Sequence, residues 1–533
     1  MMSTETEAVS AKNQSSKNRL ALLLAMAMFV LVVDTSIMNV SISAVVTDLG
    51  TTVSAVQSAI ALEALVSAAF ILIGSKVGDL FGRKRAYILG LLGYAIGALA
   101  MTLAQTIVPV IIFWAIIGGL GASLLLPAMQ SLIHGNFEGA EQKKTYALVG
   151  AATGIAAAIG PLLGGFITTY LSWRVAFFLE FVIIAIVLAN IKLVKDVAYT
   201  GSREVDVPGS ILSVLAMGCI VLSILVWQEG GEAVGLLMAI GLVAMLIFVR
   251  WLVRSKKQGK PTLIDPDLFR SKYFRLGISE QMLQNIALGG MMIALPIYFQ
   301  MVFEYTAMQT GLAIAPMSLS IFFVALLAGR RAGKRRPSRV IQAGFALLFV
   351  GVLLVILFIP RADSGLSFLI PLVITGTGLG LLVSQLNNYT LSPISEERVS
   401  EAAGVNSASG SFGLSFGLAF AGAIMLATLS FTFTKMAQSS TVLTPDQQEQ
   451  VALALEEDAE IMSNTQLAEQ LAGQTPEVQE EIIRINTEAR YIALQVALLV
   501  PLIAGLLGLL NTFRMVKLPD LEPSAAAEGM LMG

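Results

Sequence analysis

The chain has 533 residues, 56% of them hydrophobic and only 13% charged, with a formal net charge of −2 at pH 7. A water-soluble protein carries about 25% charged residues, so this composition excludes a fold covered by water and indicates an all-α integral membrane protein; nothing in the charge suggests nucleic acid. Cys219 is the only cysteine and His134 the only histidine, which rules out an internal disulfide and leaves no soft-ligand pair for a metal.

The first 19 residues are polar, with Lys12, Lys17 and Arg19 just ahead of the first apolar run, and read as a cytoplasmic tail. The run that follows has no small-residue cleavage pattern, so it is a retained helix and not a signal peptide. Runs of about twenty apolar residues cross the ~30 Å hydrocarbon of a bilayer. Fourteen occur, near 20–42, 53–75, 85–105, 109–133, 146–170, 176–195, 209–228, 233–253, 275–301, 309–329, 339–360, 364–388, 402–434 and 489–513. The run at 402–434 is too long for one straight span, and its first turns should project into the cytoplasm. With the N-terminus inside, only Arg174, Arg361, Lys435, Arg484 and Arg490 of the 34 Lys and Arg fall on the outer side. That bias places both ends in the cytoplasm, and the basic run 330–339 becomes a cytoplasmic loop. Spans one to six (20–196) and nine to fourteen (272–513) read as two bundles, with 206–256 as two inserted helices and 514–533 as a tail. Segment 437–488 is external and holds eleven acids against Arg484. Thr444-Pro445-Asp446-Gln447 is a capping box and Thr475-Pro476-Glu477 a second helix start, predicting a helical hairpin that leads into the last span.

Two stretches carry motifs. In GSKVGDLFGRKRA (74–86), Gly74, Gly78 and Gly82 allow close backbone approach, Asp79 suits a helix N-terminus or an arginine, and Arg83 and Lys84 anchor the cytoplasmic side. In the fifth span Pro161 after Gly160 kinks the helix, while Gly164 and Gly165 permit tight packing. The glycines at 376–380 follow no strand and signify helix packing, and no Walker-type motif for ATP occurs.

The 74–86 pattern closely resembles the loop signature of the major facilitator superfamily, with a weaker echo at 329–335. Asp34 to Val40 looks like the first-helix motif of the fourteen-helix drug:proton antiporters, and Gly160-Pro161-Leu162-Leu163-Gly164-Gly165 resembles their fifth-helix motif. Asp206 with Gly209, Leu268-Phe269-Arg270, Leu295 through Gln300 and Gly404-Val405-Asn406 extend the likeness. The resemblance implies two six-helix bundles around a cavity that opens to alternate sides, with the fifth-helix motif sealing their interface. It also implies a secondary exporter in a bacterial inner membrane, exchanging protons for a hydrophobic or amphipathic compound. Its partners would be that small compound, protons and the bilayer, with no cofactor and, by default, no second copy.

The departures bear on mechanism. Where the family's fourth helix carries an arginine implicated in proton coupling, this chain has Ala115, with Gly118 in place of a glutamine. Glu63 replaces a tyrosine, Glu180 an asparagine and Val182 a proline. A carboxylate within a span costs a few kcal/mol and usually marks a pathway, so Asp34, Glu63, Glu180 and Glu280, with Asn39, are the expected proton and substrate residues. The alternative for Asp34 is a neutral acid bonded to Asn39 or to a Ser or Thr; Glu180 could sit at the membrane interface, and Glu280 falls near the cytoplasmic boundary. A facilitator or lipid transporter without proton exchange, or a scaffold working through 437–488, are the competing functions. A membrane enzyme is disfavoured, since no nucleophile–base pair stands out.

Overall fold

The computed structural model describes residues 2–137, 139–196, 206–228, 231–329, 335–394, 398–449, 451 and 464–519. The side chains of Asp79 and His134, and residues 330–334 of the second basic loop, lie outside that set. The described residues form helices and no strands. The first bundle holds α1 (Met2–Val40), α2 (Val53–Phe81), α3 (Arg83–Leu103), α4 (Gly119–Asn136), α5 (Gly139–Tyr170) and α6 (Trp173–Ala189). The inserted pair is α7 (Val207–Gln228) and α8 (Val234–Lys257). The second bundle holds α9 (Lys272–Met301), α10 (Ala307–Gly329), α11 (Pro337–Phe358), α12 (Leu369–Leu391), α13 (Val399–Ser439), α14 (Pro476–Ala497) and α15 (Leu499–Val516).

Among the described residues 13 helical segments are long and apolar enough to cross a membrane, with α14 and α15 running as one. The remaining expected span is α6, whose 17 residues rise about 25 Å. It packs against α1, α3 and α5. Helix α1 begins at Met2, well ahead of the apolar run. Side-chain caps start several helices: Thr52 Oγ1 accepts from Ala55 N at 3.1 Å at α2, and Ser271 Oγ from Phe274 N at 3.4 Å at α9. Between α2 and α3 the chain turns at Gly82 with φ 98°, a conformation that a Cβ disfavours.

The insertion is tied down by Asp206, which is buried. Its Oδ1 accepts from Gly209 N at 2.9 Å, capping α7, and from Trp251 Nε1 of α8 at 2.8 Å; Oδ2 accepts from Leu263 N at 3.1 Å. Helix α7 leans on α2 and α13, one helix from each bundle. The bundles themselves meet along α2 with α13 and along α5 with α10. Within the second bundle, a Cβ on Gly376 or Gly378 would come within 2.3 Å of Met317 O and 2.5 Å of Leu348 N. The glycine run is therefore a packing seam of α12.

Beyond α13, Gln447 Oε1 accepts from Thr444 N at 3.0 Å and Thr444 Oγ1 from Gln447 N at 3.4 Å, the reciprocal bonds of a capping box. Residues 452–463 lie outside the described set. The second helix start differs from expectation: α14 begins at Pro476, but Thr475 makes no side-chain cap bond. Helix α14 continues through Leu498 into α15, so the last span is entered by a helix that starts before it.

Candidate functional site

Asp34 lies on α1 with no exposed surface. Its carboxylate accepts from the Tyr94 hydroxyl of α3 and from Trp114 Nε1, which lies 3.1 Å from Oδ1 and 3.0 Å from Oδ2. Trp114 belongs to a π-helical stretch, Val110–Gly118, that leads into α4; such wide turns shift the register of the side chains that follow. Phe177 of α6 meets Trp114 edge-on at 6.3 Å, and Trp173 meets Phe177 at 6.0 Å, so aromatic packing fixes the donor. Glu63 from α2 and Glu180 from α6 lie within electrostatic reach of both Asp34 and Tyr94. Glu180 is 3% exposed and neither of its oxygens has a hydrogen-bond partner.

Three acids far apart in sequence thus converge inside the first bundle. The expected alternatives change accordingly. Glu180 is buried inside the bundle and not exposed on its surface. Asp34 is bonded to an aromatic hydroxyl and an indole, not to Asn39 or a Ser or Thr. Asn39 instead donates to Thr35 O at 2.8 Å, and its Oδ1 has no partner. Glu280 lies apart, on α9 of the second bundle. Ala115, at the position of the family's arginine, is buried, and its neighbour Trp114 supplies a neutral donor instead. Tyr94 and Trp114 escape sequence reasoning because aromatics inside spans are ordinarily core or lipid-facing.

The loop residues hold a helix junction. A Cβ on Gly74 would come within 2.3 Å of Ser123 O, so α2 and α4 touch there, whereas Gly78 has ordinary space. At the start of α3, Lys84 N donates to Asp196 Oδ1 at 3.0 Å and Lys84 Nζ to Val194 O at 2.7 Å. Arg83 is half-buried beside them. The carboxylate at this N-terminus is Asp196, which sequence reasoning did not single out; Asp79 lies outside the described side chains.

The fifth-helix motif faces two ways. A Cβ on Gly160 or Gly164 would strike Ser36 Cβ at 2.6 Å or Ile37 Cα at 2.8 Å, both on α1. A Cβ on Gly165 would lie 2.5 Å from Ala307 O of α10, and one on Gly311 2.3 Å from Pro161 O. Met308 N donates to Thr169 Oγ1 at 2.9 Å across the same seam. Nearby, Gln300 of α9 donates through Nε2 to Val40 O at 2.8 Å and accepts through Oε1 from Ser43 N at 3.1 Å, spanning the break at the end of α1. The bundles are therefore joined by polar bonds at the end away from the α2–α3 loop, while toward the loop Ile71 and Leu72 of α2 pack in one apolar cluster with Leu391, Ala402 and Val405 of the second bundle. A separate apolar cleft lies between α2, α9, α13 and α14, where Arg490 donates to Asn486 Oδ1 at 3.1 Å and Met301 O at 3.2 Å.

With this geometry in place, comparison with known proteins finds that the model of the Major Facilitator Superfamily matches residues 24–418. The chain belongs to this superfamily. As a member it is a multi-pass membrane transporter, and its two bundles with an inserted helix pair are the superfamily's architecture extended to fourteen spans. It is 28% identical over 410 residues to the multidrug resistance protein Stp of Mycobacterium tuberculosis, covering 76% of this chain and 75% of Stp. It is 26% identical over 391 residues to the multidrug export protein EmrB of Escherichia coli, covering 72% of this chain and 75% of that one. Among solved structures, a bacterial homologue of the human lysosomal transporter Spinster, in an inward-facing and unoccupied conformation, superposes with a TM-score of 0.64. That match covers 96% of this chain and 99% of the other at 12% identity, a likeness of fold.

Proposed function

We propose that the protein is a proton-coupled exporter of hydrophobic or amphipathic compounds, resident in a bacterial plasma membrane with both termini in the cytoplasm. The observation that carries this reading is the convergence of Asp34, Glu63 and Glu180 around Tyr94 and Trp114. No cationic side chain hydrogen-bonds to Asp34 among the described residues. Three carboxylates so placed repel one another and are poorly solvated, so they do not all ionise together. Protons held there are exchangeable whenever water reaches the site. Similarity to multidrug exporters supports the direction and the class of cargo, and an unbalanced acidic site suits a cargo with cationic or hydrogen-bond-donating character.

The mechanism uses the fold directly. The seam of Gly160, Pro161, Gly164 and Gly165 against α1 and α10 closes the external end in this conformation, and the Gly74–Lys84 loop is the counterpart junction on the cytoplasmic side. Rocking of the bundles around the Asp34 cluster would expose it alternately. Protons loaded from outside would displace cargo, and their release inside would reset the site. One charge crossing 100 mV supplies about 2.3 kcal/mol. The acidic 437–488 segment is read as an external accessory.

Inverted vesicles loaded by an imposed pH gradient test this reading with ethidium as the probe. Asp34→Asn should insert normally and abolish pH-driven ethidium transport. Undiminished transport would refute the assignment.

A further inference from the structure

Glu280 takes no part in the Asp34 cluster. It sits on α9 with no exposed surface, and neither carboxyl oxygen has a hydrogen-bond partner. The Asn511 amide of α15 lies within hydrogen-bonding reach of its carboxyl, and the same amide donates to Ser279 Oγ at 2.9 Å. One turn further along α9, Gln284 is buried and its Oε1 is likewise without a partner. The helices packed around this stretch present neutral groups. From α12, Thr390 packs against Gly277 and spends its hydroxyl on Leu386 O. From α13, Ser409 donates to Ile278 O, and Gly413 lies against Met282. No charged side chain acts on Glu280 among the described residues.

A structural acid in a membrane bundle ordinarily has partners, because an orphaned polar group there is costly and a bare charge far more so. A leucine would pack in this place without that cost. The one donor described within reach of this carboxyl is the neutral Asn511 amide, and no counter-charge faces it among the described residues.

We propose that Glu280 is a second proton-carrying site, in the second bundle, loaded and emptied once per transport cycle separately from the Asp34 cluster. This rests on the proton-coupled reading above. A water-borne proton binds the carboxylate on the external side and leaves to water on the cytoplasmic side, so each cycle moves one more proton than the first bundle alone would carry.

The experiment measures maximal ethidium accumulation in inverted vesicles at imposed gradients of one and two pH units, for wild type, Glu280→Gln and Asp34→Asn. Loss of one coupled proton lowers maximal accumulation tenfold per pH unit of gradient, so Glu280→Gln should fall tenfold and then a hundredfold below wild type while remaining pH-driven. Accumulation equal to wild type overturns the proposal. If Glu280→Gln does not transport, purified wild type and variant are compared by infrared spectroscopy between acid and alkaline pH. A protonated-carboxyl band that titrates in wild type and is missing from the variant supports the site, and the absence of any such band overturns it. Full coupling in Asp34→Asn would refute the first-bundle reading alone, since the infrared result on Glu280 does not depend on it.

Discussion

Asp34 is satisfied by donors that carry no charge of their own, a phenol from α3 and an indole from the π-helical entry to α4. An arginine in that place would hold the carboxylate permanently ionised, whereas neutral donors stabilise the charge without preventing protonation. Hydrogen bonds to a charged group are worth about 1.5–3 kcal/mol. Tyr94→Phe removes one donor and keeps its ring, and Trp114→Phe removes the other while leaving a smaller ring in its place, so each should slow pH-driven efflux roughly tenfold or more, as initial rates in vesicles normalised to expression would show. The acids were legible in the sequence because a carboxylate in an apolar run stands out, and so was the missing arginine at Ala115. Their convergence was not, because no local pattern states which face of α2 or α6 turns toward α1. The replacement donor was hidden for a second reason: the π-helical turns displace Trp114 from the place that a 3.6-residue repeat assigns it.

At the scale of elements, the spans and capping box followed from hydrophobic run length and local side-chain chemistry. The junctions did not, since their partners are distant in the chain. Asp196 at the start of α3 is one case, lying more than a hundred residues from Lys84. Another is Asp265, just before the 3-10 turn Pro266–Arg270 that precedes α9. Its Oδ2 meets Lys256 Nζ at 2.7 Å and Arg398 Nη2 at 3.0 Å, and its backbone N–H donates to Glu401 Oε1 at 2.6 Å, binding the α8–α9 link to the start of α13. Partial burial pushes the Asp265 carboxyl up, but the Lys256 bond, the Asp267 amide and Arg398 outweigh it and hold it below its ordinary value. A carboxyl so lowered stabilises the fold fully above its unfolded value, near 3.9, and loses that contribution as pH falls through the folded one. The link should thus stay closed at neutral and mildly acidic pH and weaken only below about pH 4. Asp265→Asn should cost about 1 kcal/mol at pH 7 and remove that acid-side dependence, as thermal melts across the pH range would reveal.

For the whole molecule, the polar bonds between the bundles among the described residues include those of Gln300 with α1 and of Met308 with Thr169 at one end, and that of Ser415 Oγ with Ala61 O at 2.8 Å along the α2–α13 contact. Parting the bundles at that end must break the bonds of Gln300 and Met308. A cysteine pair at Thr169 and Met308, with Cys219 replaced, should form a disulfide on oxidation, stop ethidium efflux and release it on reduction. Efflux that continues in fully cross-linked protein would show that this seam need not part. The superfamily architecture could be read from span count and motifs, whereas the bonds closing this end arise only from the folded chain.

Gln300 has a consequence of its own. One planar amide grips a carbonyl and an N–H on either side of the α1 break, so neither bond can lengthen alone. Parting strands both main-chain groups together, and the gate acts as a snap fastener: it resists until both bonds give way, then offers nothing to hold it half ajar. A gate that cannot linger between states leaves little time for protons to leak past without cargo.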